Sequence, residues 1–147
     1  MRRRSAVLVL LLALTLPAAL PARAEMFSKA YEFKPNTVLT IGADVGNGVR
    51  LDTVEFVLST DDGSPSGLFA GPKVKVAISN VSEGGRKIGI ALAVADGENR
   101  LVAVASGGTK LFPLRGGRQI VYTLDIDGVM TELSRGTAFR ISIEPRP

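Results

Sequence analysis

Beyond residue 24 the sequence predicts an all-β domain, an antiparallel two-layer sandwich of about seven or eight short strands. Large apolar residues recur at every second position in segment after segment, which lines up one face of an extended chain rather than a helical stripe. Gly, Pro, Asp and Asn punctuate those segments at short intervals, as turns require. No stretch between them has the length and periodicity of a crossover helix, so neighbouring strands should run antiparallel. A closed barrel would satisfy the same pattern, and one sequence does not reveal strand pairing.

The first segment is a leader. Met1-Arg2-Arg3-Arg4 is basic, Ala6 to Leu16 is apolar, and Ala22-Arg23-Ala24 ends in small residues. That order is a secretory signal peptide over 1–24, with cleavage expected between Ala24 and Glu25. A spanning helix needs roughly 20 consecutive apolar residues; this run is shorter and Pro17 interrupts it. A lipoprotein would need cysteine for acylation, and the chain has none.

Removing the leader changes the charge. Four of the 18 basic residues (Arg2, Arg3, Arg4 and Arg23) lie within it, leaving 14 to face 14 acidic residues. The whole-chain excess of +4 therefore belongs to the targeting segment. With no net field, no nucleic-acid partner is expected. Lys73, Lys75, Arg86 and Lys87 could form a local basic patch, although the wet face of a strand explains them as well. Residues 25–147 suit a single domain with a core of its own, held by packing without disulfides.

In chain order, Phe27 to Phe33 and Val38 to Ile41 read as short strands. Asp52 to Ser59 places Val54, Phe56 and Leu58 in phase, while Leu51 is out of step, which points to a bulge near Thr53. Thr60 to Pro72 is a long polar connection carrying Leu68-Phe69, a pair expected to cap the open end of its own core. Lys73 to Ser79 turns Val74, Val76 and Ile78 inward. Arg86 to Ala95 does the same with Ile88, Ile90, Leu92 and Val94, and its opposite face of Gly89, Ala91, Ala93 and Ala95 implies a central, closely covered strand. Arg100 to Ser106 follows around Leu101, Val102 and Val104. Short turns between these three strands predict a meander. Leu111 to Gly117 crosses to Arg118–Asp125, with Ile120, Tyr122 and Leu124 together. A single helical turn is expected around Met130 to Leu133, and Thr137 to Glu144 closes the domain with Phe139, Ile141 and Ile143 inward.

Two stretches carry a resemblance. Val74 to Asn80, then Ile90-Ala91-Leu92-Ala93-Val94-Ala95-Asp96 and Arg100-Leu101-Val102, resemble the FxLyD-type domains of exported bacterial proteins. Leu111-Phe112-Pro113-Leu114-Arg115-Gly116-Gly117 running into Tyr122 is similar to that family's turn before its next strand, although the turn's proline and glycine are spaced differently and Ile90 to Asp96 lacks the family's two aromatics. The resemblance covers about half of the chain after the leader and implies an immunoglobulin/fibronectin-III-like sandwich; it lends no chemistry. In that setting Tyr122 would act as a tyrosine corner, its hydroxyl bonded to upstream backbone.

The chain has no His, Cys or Trp, so imidazole acid–base chemistry, thiol nucleophiles and His/Cys metal sites are excluded. No serine sits in a nucleophile context, and no catalytic, cofactor-binding or metal residue is assigned. Asp61-Asp62-Gly63, Asp96-Gly97-Glu98-Asn99 and Asp125-Ile126-Asp127-Gly128 are the fragments where calcium could bind, yet each lacks a full loop and Asp-Gly is ordinary turn chemistry. Gly42, Gly46 and Gly48 read as turn glycines rather than a phosphate loop, Arg115 to Arg118 as a loop, and Asn80-Val81-Ser82 as a chance sequon.

The expected function is that of a non-enzymatic interaction or scaffold module, periplasmic or extracellular, with no integral membrane anchor after cleavage. Its partner is expected to be another envelope or extracellular protein, met through loops or by strand addition. Lys73 and Lys75 argue against an open edge at their own strand, which leaves the terminal strands as acceptors. The alternative is a carbohydrate- or small-ligand-binding domain, which would set two or more of Phe27, Tyr31, Phe69 and Phe112 side by side on the surface.

Overall fold

A computed structural model describes residues 26–58, 71–128 and 130–147. Residues 1–25, with the expected leader, and the 59–70 segment, with Asp61-Asp62-Gly63 and Leu68-Phe69, lie outside the described residues. Eight strands and one short helix follow in order: β1 (Phe27–Glu32), β2 (Val38–Gly46), β3 (Val49–Val57), β4 (Lys73–Asn80), β5 (Lys87–Asp96), β6 (Leu101–Gly108), β7 (Arg118–Asp125), α1 (Met130–Leu133) and β8 (Gly136–Arg146). They form two four-stranded antiparallel sheets, ordered β1-β8-β5-β6 and β2-β3-β4-β7.

The inner rows of both sheets enter one apolar core. Ile88, Ile90, Leu92 and Val94 of β5 and Phe139, Ile141 and Ile143 of β8 meet Leu51, Val54 and Phe56 of β3 and Val74, Val76 and Ile78 of β4. Phe56 bridges the sheets: its ring lies edge-on to Phe139 at 4.9 Å and to Phe33 at 4.6 Å between centroids. Such aromatic pairs contribute about 0.5–1.5 kcal/mol beyond the area they bury. Leu133, brought in by α1, is fully buried beside them.

The alternation held for the element types, and the bulge near Thr53 is present. The β3–β4 register slips between Leu51 and Thr53, so Asp52 is the extra residue and Leu51 and Val54 both point inward. Asp52 lies almost buried under the outer surface of its sheet. Its carboxylate accepts bonds from Arg50 Nε at 2.7 Å, Ser79 Oγ and Gln119 Nε2 at 2.8 Å, which ties β3, β4 and β7 together. β5 is interior to its sheet, as its small-residue face implied, and β4 is interior to the other, so Lys73 and Lys75 indeed mark no edge.

Three expectations are corrected. β4, β5 and β6 are not a meander: β4 and β5 belong to different sheets, and only β5 and β6 form a hairpin. The buried residues of β6 are Ala103 and Ala105, while Leu101 and Val104 are exposed. There the two sheets close together, for the Val104 and Asp127 backbones exchange hydrogen bonds of 3.1 and 2.8 Å, and only alanine-sized side chains fit beneath. The small-residue face of β5 is not covered by any described element: Gly89 and Ala91 are exposed and Ala93 and Ala95 half-buried.

β2 extends to Gly46, beyond the Ile41 end expected, because two register shifts break its alternation without ending its pairing. Gly42, Gly46 and Gly48 serve these bulges and the hairpin turn with φ of 62°, 100° and 74°, conformations that suit glycine.

Asp52 makes stability depend on acid. Burial raises its carboxyl pKa, but the bonds from Ser79, Gln119 and Arg50 outweigh burial and hold it below the ordinary value. A group depressed on folding stabilises the fold above its unfolded pKa, about 3.9, and loses that contribution as pH falls through the folded value. Asp52→Asn should destabilise the chain by about 1–2 kcal/mol at neutral pH. That gap should shrink steadily below about pH 4 in urea titrations. A gap that stays constant down to acid pH would contradict this account.

Candidate interaction surface

The end of the molecule where the chain twice changes sheets holds its most distinctive surface. β4 ends in Asn80, whose side chain is buried although polar. Its Nδ2 donates to the carbonyls of Gly84 and Leu114, both at 2.8 Å, and its Oδ1 accepts from the Ser82 backbone N–H and hydroxyl. The amide is fully spent, so the sequon is structural. Arg86 and Leu114 exchange two backbone bonds of 2.9 and 2.8 Å, and Gly117 N–H reaches the Asn80 carbonyl. These bonds join the 81–86 and 109–117 connections into one clasped unit.

Beside that unit, β6 and β7 diverge. β6 is tied at Val104 to Asp127, just past the end of β7, but the two open toward Gly108 and Arg118, leaving a groove of about 570 Å³. Leu114, Ile120 and Tyr122 give it an apolar wall, Leu111 and Phe112 form its lip, and Lys110, Arg115 and Arg118 stand around it. Gln119 and Ile120 point to opposite faces of β7, yet both line the groove. It therefore runs along the edge of the strand rather than over one face. β7 pairs with β4 in unbroken register through all eight residues and pairs with no strand on its other side among the described residues.

Tyr122 does not make a tyrosine corner. Its hydroxyl is buried without a hydrogen-bond partner among the described residues, as is that of Tyr31, and burial pushes both phenols up. Asp96 organises the β5–β6 turn: it accepts the backbone N–H groups of Glu98 and Arg100 at 2.9 and 3.0 Å and pairs with the Arg100 guanidinium. The backbone bond from Arg100 is the leading cause of its lowered pKa. Asp125 is paired with Lys73 at 3.2 Å, and no three metal-ligating side chains gather among the described residues.

Lys73 and Lys75 bind Asp125 and Glu55 on the outer face of one sheet, a strand's length from Arg86 and Lys87, so the four make no common patch. Of the candidate sugar-stacking rings, Phe69 lies outside the described residues, Phe27 and Tyr31 pack against the core, and Phe112 stands exposed without an aromatic neighbour among the described residues. Lys110 and Ile120 drew no attention in the sequence as site residues, and Arg118 drew it only within Arg115–Arg118, which reads as a loop. The available signal was the run Lys110-Leu-Phe-Pro-Leu-Arg115, apolar residues inside a segment that otherwise breaks the strand pattern. No protein-family model and no curated protein matches this chain, so its surface is read from its own geometry. No described helix is long and apolar enough to cross a membrane.

An unsatisfied buried hydroxyl costs about 1–3 kcal/mol. Tyr122→Phe should therefore leave the urea midpoint unchanged or raise it; a loss of more than about 1 kcal/mol would mean that the hydroxyl has a partner after all.

Proposed function

We propose that this chain is an exported, non-enzymatic interaction module of the bacterial cell envelope, folded as an immunoglobulin/fibronectin-III-like sandwich, that holds a partner protein along the free edge of β7. Export is supported by the charged, apolar and small-residue order of residues 1–24. The sandwich reading is supported by two antiparallel sheets sharing one core and by the FxLyD-type resemblance. Periplasm or extracellular space is the site of action.

One observation carries the binding reading: an apolar groove opens along an unpaired, unbulged strand edge. A partner segment can add to β7 through main-chain bonds and drop a side chain onto Ile120 and Tyr122. The other edges are less suited. β2 is bulged twice, which deters pairing, and β6 already bonds Asp127 at Val104. β1 is an edge as its terminal position implied, but its charged Lys29 and Glu32 flank no comparable groove, and the C-terminal strand β8 is interior.

The groove's volume also lies within the range of small-ligand pockets, roughly 300–1,000 Å³, which favours a small apolar ligand as the second reading. Affinity capture of the tagged chain from its own envelope, with mass spectrometry, separates the two. A protein partner should be retained, and Ile120→Thr, which keeps strand shape but removes apolar contact, should lower its recovery roughly tenfold. Retention of a lipid, glycan or metabolite without a protein would move the assignment to the second reading.

A further inference from the structure

We propose that the clasped end of the molecule docks on an anionic lipid surface, with Leu111 and Phe112 entering the headgroup layer and the surrounding basic residues holding them there. This goes beyond the β7-edge reading: it turns on the lip of the groove and the cations around it, whereas that reading turns on Ile120, Tyr122 and the strand's main chain.

The loop tip is held out in water by its anchors. On one side Thr109 N–H donates to the Ile88 carbonyl at 2.9 Å, and the Thr109 hydroxyl accepts the Ile88 N–H at 2.9 Å. On the other, Leu114 is buried and doubly bonded to Arg86. Between these points Leu111 is 84% exposed and Phe112 82%, and Val81 in the joined connection is 67% exposed. These are the three most exposed large apolar residues described. A fixed backbone that keeps two such side chains out of the core presents them to something outside the chain.

Charge names that surface. Segments 80–87 and 109–118 together carry five cations, Arg86, Lys87, Lys110, Arg115 and Arg118, against one carboxylate, Glu83. Lys87, Lys110, Arg115 and Arg118 form no ion pair among the described residues, while Arg86 is spent on the carbonyls of Asn47 and Gly85. The chain after the leader has no net charge, so this excess is local and is balanced elsewhere. Apolar tips inside a cationic collar match the headgroup boundary of an anionic leaflet: apolar side chains enter it, and basic ones meet its negative potential. The lip side chains stand out from the surface, which a deformable bilayer accommodates without a matching cavity.

The test is co-sedimentation of the chain from Glu25 onward, which contains every described strand, with phosphatidylcholine–phosphatidylglycerol vesicles and with pure phosphatidylcholine. Binding should require the anionic lipid and weaken with added salt. Leu111→Ser with Phe112→Ser should lower partitioning more than about tenfold, with thermal stability unchanged because both residues are exposed. Arg115→Gln and Arg118→Gln should each lower it about fivefold. Ile120→Thr, which tests the β7 edge, should leave vesicle binding intact, so the two readings fail separately. Equal binding to both vesicle types, no binding to either, wild-type binding by the tip variant, or loss with Ile120→Thr alone would overturn the proposal. Loss of a captured protein by the tip variant, without any vesicle binding, would assign the tip to a protein contact instead.

Discussion

Where a chain leaves one sheet for another, backbone groups lose their ladder partners and must find others before they can be buried. This domain does so twice at one end, between β4 and β5 and between β6 and β7, and solves both crossings with the same bonds. Arg86 and Leu114 pair their backbones, and Asn80 closes its amide on the Leu114 carbonyl. Leu114 can then enter the core with its carbonyl satisfied. Without that clasp the 109–117 connection would have no fixed path, β7 would have no fixed entry, and the groove would lose its wall. The surface of this end is thus a by-product of closing the core.

Much of the architecture was legible because side-chain period reports which way a residue faces. Val74, Val76, Ile78, Ile88, Ile90, Leu92 and Val94 are buried as their spacing required, and the single turn at Met130–Leu133 occurs at those residues. The out-of-step Leu51 gave away the bulge at Asp52. Period does not report which strand lies alongside, so a short turn after Asn80 passed for a hairpin when it carries the chain to the other sheet. It failed at β6 for a related reason. The β5–β6 register slips so that Val102 is the extra residue, which turns Leu101 outward although it shares the odd positions of the buried Ala103 and Ala105, and Val104 takes the outer face; no single segment encodes that pairing.

The candidate surface was less legible than the fold. In the sequence Leu111 and Phe112 belong to a connection, with Phe112 only one of four candidate surface rings, and it is the anchoring at Thr109 and Leu114 that shows both held out of the interior. Of the three Asp-containing fragments that attracted attention, two are described: Asp96 accepts bonds from Glu98 and Arg100, and Asp125 pairs with Lys73. Of the buried polar residues of greatest structural weight, Asp52 lies in no motif, and Asn80 lies in a sequon that says nothing of its buried role. Their importance arises from strands brought together by folding, Ser79 and Gln119 around one and Gly84 and Leu114 around the other.

The groove itself follows from how the two sheets meet at β6 and β7. At Val104 and Asp127 the backbones bond across, and just along β6 a side chain at Gly107 would collide with Leu124. Small residues let the sheets touch there. Next along, Gly108 takes a φ of 137° against the Ile88 backbone and ends β6, while β7 pairs in unbroken register from Arg118. The edges part where one strand stops and its neighbour continues. What opens between them is lined by Ile120 and Tyr122, the inward row of β7, at the point where the facing strand no longer covers it. An apolar row exposed by divergence keeps its strand geometry and its free main-chain groups, which is why this edge, among the four, can offer both hydrogen bonds and apolar contact to the same extended segment.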